Sequence, residues 1–226
     1  MTYLRGHWQL IALTLVIFAL WSTPIVLPLK LLVVFFHELC HALMAILTGG
    51  RVESLSVNFQ QGGEVWTRGG SRFLTLSAGY LGSLAIGAGL LLVALRGRAD
   101  RLMLGALGVL MLVVLVLYVR DIPAALIVAA TGAALLAASR FLAAPICDLI
   151  LRIIGLSSLI YVPYDIFDDT LRRASLRSDA RMLAEEVGGT TMIWGALWLL
   201  ISFAVIYACL RHGLGRDSNL RLPRRG

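Results

Sequence analysis

The chain predicts an all-α polytopic membrane protein of about six transmembrane helices, with a small β-hairpin after the helix that carries its histidine motif. Three observations lead there. Apolar residues make up 59% of the 226 residues and charged residues 15%, against about 45–50% and about 25% in a soluble domain. That excess, seen also in a mean hydropathy of +0.85, collects in blocks long enough to cross a hydrocarbon core of ~30 Å, which takes ~20 helical residues. One stretch, 51–70, breaks the apolar pattern with strand-like alternation, while the repeated ~10-residue segments of an outer-membrane barrel are missing. The expected organisation is one transmembrane domain over 1–210, holding a hairpin at 51–70 and a polar loop at 164–189, then a basic flexible tail at 211–226.

The first apolar run, Trp8 to Trp21, reads as a membrane helix rather than a signal peptide, because no small-residue cleavage site follows it. Pro24 and Pro28 reset the chain. A second helix from about Leu27 to Leu47 ends at Thr48-Gly49-Gly50, which has C-cap chemistry. Arg51 to Phe59 alternates apolar and polar residues, Gln60-Gln61-Gly62-Gly63 is a turn, and Glu64 to Thr67 is a second short strand. An open strand edge is costly in lipid, so this hairpin is expected to pack on protein or face water.

A third helix from Ser71 to Leu95 contains Gly79, Gly82, Gly87 and Gly89, small residues that let membrane helices approach closely. The short basic loop 96–101 leads to helices over 102–119 and 122–138. From Phe141 to Tyr164 the apolar pattern is interrupted by Pro145, Asp148 and Arg152, so a sixth span or a partly re-entrant helix is expected; Asp148 and Arg152 are spaced to pair on it. Tyr164 to Glu186 is polar, and Thr190 to Leu210 is the last clear span.

Net charge is +7. The arginines sit in loops and tail, where orientation in the bilayer and anionic headgroups account for them; no aromatic-interleaved basic module points to nucleic acid. The basic tail and the arginines at 172, 173, 177 and 181 both favour the cytoplasmic side, a demand that one intervening span does not meet. The widely spaced Cys40, Cys147 and Cys209 form neither a disulfide framework nor a Cys-x-x-Cys site and read as small buried residues. His7 and His212 fall at expected interfaces.

His37-Glu38-Leu39-Cys40-His41 carries the chemistry. In a helix, residues four apart share one face, about 6 Å apart in rise. Both imidazoles therefore reach one zinc ion (Zn2+), with Glu38 placed as general base. Three ionisable residues in an apolar helix are costly, by about 2–3 kcal/mol for a central charge, unless a partner compensates them. A metal-free buried polar network is the plain alternative. A catalytic zinc site usually has three protein ligands, and neither remaining histidine is well placed. A carboxylate of Asp165, Asp168 or Asp169 is expected instead, Asp165 first because it directly follows the apolar run ending at Pro163. Asp148 and Asp179 stand outside that group, Asp179 as a cap for a helix beginning near Ala180.

Phe36-His37-Glu38-Leu39-Cys40-His41-Ala42, Leu47-Thr48-Gly49-Gly50-Arg51-Val52, the hairpin glycines Gly62-Gly63 and Ser77-Ala78-Gly79-Tyr80-Leu81-Gly82 together resemble the site-2 protease family of intramembrane zinc metallopeptidases, in its compact branch without a PDZ domain. Tyr164-Asp165-Ile166-Phe167-Asp168-Asp169 and Ser178-Asp179-Ala180 extend the resemblance, which covers roughly residues 30 to 200. It implies a zinc metalloendopeptidase acting on transmembrane protein substrates in the lipid bilayer. It also implies a downstream aspartate as third ligand, in a context where the family has Asp-Gly and this chain has Asp165-Ile166. The family's hairpin is thought to hold substrate by strand addition, which nominates Asn58, Gln60 and Gln61 as substrate-binding residues beside their plainer reading as turn polarity. Two other functions use the same ligands: a zinc-binding membrane scaffold or chaperone without proteolysis, and, less favoured, a metal transporter, for which the third to fifth spans carry few polar groups. The expected location is a plasma membrane of bacterial type.

Overall fold

A computed structural model describes residues 2–96, 99–173, 176–215 and 217–220. Its elements are α1 (Thr2–Leu20), α2 (Leu27–Leu47), β1 (Arg51–Val57), β2 (Gly63–Arg68), α3 (Arg72–Arg96), α4 (Asp100–Tyr118), α5 (Ile122–Phe141), α6 (Ala144–Phe167), α7 (Asp179–Val187) and α8 (Thr191–Gly213). Among the described residues six helical segments are long and apolar enough to cross a membrane: Pro24–Leu47, Arg72–Arg96, Asp100–Tyr118, Ile122–Phe141, Ala144–Arg172 and Thr191–Gly213. The chain is a multi-pass integral membrane protein with a two-stranded antiparallel hairpin.

The expected first span is not among the six. Its apolar run lies in α1, where the described apolar helix is Leu4–Leu20, about 26 Å long at 1.5 Å per residue. Conversely, the interrupted segment after Phe141 is one helix, α6, prolonged by a π-turn over Asp168–Arg172. Pro145 sits in its first turn, where a missing N–H costs no hydrogen bond. Asp148 and Arg152 pair as their spacing suggested, at 2.7 Å and largely buried.

Burial sorts the spans. The apolar windows of α2, α3 and α6 are 61%, 56% and 67% buried within the protein, whereas those of α4, α5 and α8 are 28%, 28% and 22% buried. The first three therefore form the inner layer and the others turn much of their surface to lipid. Close approach of α3 and α6 depends on small residues: a Cβ on Gly87 would stand 2.4 Å from Ser158 Cβ, and one on Gly155 2.8 Å from Leu91 N. The Ser158 hydroxyl donates to Ser83 O at 2.8 Å across this contact.

The hairpin folds over the end of α2. Its register pairs Leu55 with Val65 and Val57 with Gly63, with an irregularity at Glu53. Leu55 and Val57 are fully buried, which anchors one face on protein. Thr48 at the end of α2 accepts a hydrogen bond from Ser71 N at 2.9 Å, tying the entry of the hairpin to its exit.

The polar stretch 164–189 is mostly helical: its start completes α6 and the π-turn, and Asp179–Val187 form α7. The basic tail is not wholly free. α8 extends to Gly213, and Ser218 N donates to Gly6 O at 2.8 Å while Asn219 Nδ2 donates to Arg5 O at 2.9 Å. His7 lies beneath this clasp, buried and 2.8 Å from the Ser218 hydroxyl, rather than at a wetted interface; His212 is exposed. Residues 97–98 of the expected basic loop, and 216 and 221–226 of the tail, lie outside the described residues. All three cysteines are free and buried.

Candidate metal centre

The motif is helical throughout, on the buried face of α2. Glu38 and His41 are 6% and 5% exposed, and the two imidazoles pack edge to face with centroids 4.6 Å apart. His41 Nδ1 donates to Thr75 O at 2.6 Å, because a carbonyl can only accept. In the neutral ring that leaves the Nε2 lone pair free for a ligand, the tautomer control seen at metal sites.

The carboxylate that meets the histidines belongs to Asp179. Its Oδ2 lies 2.9 Å from His37 Nε2 and 3.1 Å from His41 Nε2. Asp179 stands outside the membrane spans, in the first turn of α7, and does not serve as the cap. Ser178 does, accepting a hydrogen bond from Arg181 N at 3.3 Å, which leaves the Asp179 side chain free to turn inward. Burial opposes ionisation of Asp179, but the adjacent His41 and His37 outweigh it and hold the carboxyl well below the usual carboxylate range.

Asp165, the first expected third ligand, is placed differently. It lines the same cavity, yet its Oδ1 lies 3.5 Å from Arg173 Nη2. Asp168 and Asp169 reach the same guanidinium at 2.6 and 2.8 Å. The helical spacing that brought the three aspartates to one face serves Arg173. Asp148 is engaged with Arg152. Among the described residues, the acidic and histidine groups close enough to share one ion are His37, His41 and Asp179, whose ligand atoms all lie within 4.8 Å of one another.

Two glycines make room for this arrangement. A Cβ on Gly79 of α3 would stand 2.5 Å from the Nε2 of both His37 and His41. A Cβ on Gly63 of β2 would stand 2.4 Å from Glu38 Oε1. The hairpin thus lies directly on the glutamate, and α3 directly on the histidines. A cavity of about 430 Å³ opens beside them, with a lining that includes Asn58, Gln61, Glu64, Thr67, Asp165 and Met182. Of the nominated hairpin residues, Asn58 and Gln61 line it and Gln60 does not. Asn58 Oδ1 also accepts from Gln60 N and Gly62 N at 3.0 and 3.1 Å, which shapes the turn.

The Peptidase M50B-like family model matches residues 10–209. The chain belongs to that family, the site-2 protease family. Nothing among curated proteins or solved structures matches it. The M50B-like family implies a membrane metallopeptidase, and the geometry of this member fits a resident metal. Two imidazole nitrogens and a carboxylate oxygen converge, one imidazole has its far nitrogen committed to a backbone carbonyl, and the space against both Nε2 atoms is one that a single methyl group would fill.

By sequence alone Asp179 reads as a cap, Gly63 and Gly79 read as turn and packing glycines only, and Thr75 does not stand out. A local signal for Asp179 was present: with Ser178 available as the cap, the aspartate after it is free for another task.

Proposed function

We propose that this M50B-like chain is an intramembrane zinc metalloprotease that hydrolyses peptide bonds of membrane-spanning proteins. The observation that carries the reading is the convergence of His37, His41 and Asp179 beside the buried Glu38, at the floor of a polar cavity between spans. Two histidines and a carboxylate are a familiar ligand set for catalytic zinc. The ion, held by those three residues, would supply Lewis acidity toward water and toward the scissile carbonyl.

The residues divide the remaining work. Glu38 accepts a proton from water at a carboxylate oxygen and delivers it to the departing amine nitrogen. Gly63 holds that carboxylate against β2, so the base is oriented by the hairpin that borders the substrate space. Thr75 keeps His41 in the tautomer that presents Nε2. A substrate helix has its peptide bonds hidden in its own hydrogen bonding, so it must unwind to be cut. The cavity flanked by Gly63, Glu64, Val65 and Thr67 of β2 suits an extended segment running beside that strand. Asn58 and Gln61 border the same space, and Gln60 lies outside its lining.

A Glu38→Gln change tests the reading. Purified protein in detergent is expected to keep its zinc and lose cleavage of a membrane-spanning reporter by a factor of about 10² or more, the usual range for a general acid–base group. A chelator should abolish wild-type cleavage and added zinc restore it. Undiminished cleavage by E38Q contradicts proteolysis through Glu38; zinc binding with no cleavage by the wild type favours the scaffold alternative.

A further inference from the structure

His37 and His41 are held in different ways. His41 has a backbone acceptor on its far nitrogen, Thr75 O at 2.6 Å. Among the described residues no hydrogen bond reaches His37 Nδ1. Its ring instead packs against two others, His41 with centroids 4.6 Å apart and Tyr80 at 4.7 Å and nearly perpendicular. Tyr80 is 2% exposed and backed by Trp198 of α8 at 5.2 Å. Its hydroxyl donates to Asp169 Oδ2, and Asp169 is fixed in turn by Arg173 at 2.8 Å.

We propose that Tyr80 is the positioning residue for His37, setting the rotation of that imidazole through an edge-to-face contact, and that the Asp169–Arg173 pair at the end of α6 holds Tyr80 in place. Resting on the metal-centre reading above, this gives the Asp165–Asp169 segment a role other than ligation. Where a ligating histidine lacks a hydrogen-bonded partner on its second nitrogen, a packed ring is the other way to stop it turning. Edge-to-face pairs at 4.5–7 Å are favourable and directional. The chain Arg173–Asp169–Tyr80–His37 then links the surface end of α6 to the metal centre through contiguous contacts.

The test is cobalt(II) titration of the purified full-length chain, read by its visible absorption band, with wild type, H37A, Y80L, Y80F and D169A. Wild type should bind and H37A should lose most of its affinity. Y80L should bind cobalt at least about tenfold more weakly with a shifted band, the lower end of the effect of removing an outer partner of a metal ligand. Y80F, which keeps the ring, should restore affinity to within about threefold of wild type. D169A, which frees the hydroxyl, should shift the band. If Y80L does not fold, Tyr80→Met serves in its place. A Leu or Met variant with wild-type affinity and band, beside an impaired H37A, overturns the role of Tyr80 and leaves the metal centre standing. Equal binding by wild type and H37A overturns the metal centre and this inference together.

Discussion

His37 Nε2 and Asp179 Oδ2 meet at 2.9 Å although 142 residues separate them in the chain. The histidine comes from the middle of an inner span and the aspartate from a nine-residue helix outside the spans. The candidate metal centre is therefore assembled where α7, packed against α3 and α8, brings Asp179 to the histidines of α2. Anything that displaces α7, or fills the space beneath it, should act on metal binding before it acts on the fold.

Gly79→Ala is the smallest such change. Alanine favours a helix over glycine by about 1 kcal/mol, so the fold should hold. The added methyl would press on both Nε2 atoms at 2.5 Å. Zinc affinity is expected to fall at least tenfold, on the order of an impaired ligand shell, in a protein that still folds. Wild-type affinity in G79A, by competition with a chelating dye, would contradict the placement of α3 against the imidazoles.

Gly63→Ala should separate chemistry from metal. Its methyl meets Glu38 Oε1 at 2.4 Å and Cγ at 2.6 Å, with Glu38 supplying its three nearest atoms. Zinc content should stay that of the wild type and kcat should drop by about tenfold or more, as expected for a displaced general base. A G63A protein with full kcat would show that the hairpin does not orient Glu38.

The Asp148–Arg152 pair gives a prediction about stability. With side chains only 13% and 6% exposed, Arg152→Leu leaves a buried carboxylate without its partner, at a cost of about 3–5 kcal/mol. Adding Asp148→Leu should recover much of that loss, since paired apolar replacements are often neutral or stabilising. Thermal unfolding of the two variants in one detergent compares them; a double variant less stable than R152L would contradict the account.

Gly155→Ala probes the seam between α3 and α6, where a methyl would lie 2.8 Å from Leu91 N and 2.9 Å from Gly87 O. Overpacking of this kind typically costs about 1–3 kcal/mol. Because α3 carries Thr75 and Gly79, the forced shift should also weaken zinc binding. Unaltered stability and zinc affinity together would show that the seam can relax.

Much of this was legible before the fold was known, and the reason differs by element. The hairpin declared itself through period-two alternation and a glycine turn, signals carried by neighbouring residues. His37, Glu38 and His41 did so because helical spacing alone places them together. Asp179 did not, because its approach to α2 is a tertiary fact: nothing local distinguishes a carboxylate that caps α7 from one that turns away from it, except that Ser178 already fills the capping role. Asp165 was attractive for its position after an apolar run, yet Arg173, eight residues on, is what that face of the helix meets. The continuity of α6 was obscured by polar residues that satisfy one another, Asp148 with Arg152, and by a proline placed where a helix tolerates it.

The identity of the third ligand is the central claim, and zinc stoichiometry of Asp179→Asn beside Asp165→Asn tests it most directly. Both proteins would be purified in detergent, stripped, reloaded with zinc and washed. D165N should retain about one zinc per chain, as the wild type should, and D179N should lose most of it. The reverse pattern, zinc kept by D179N and lost by D165N, would contradict that claim.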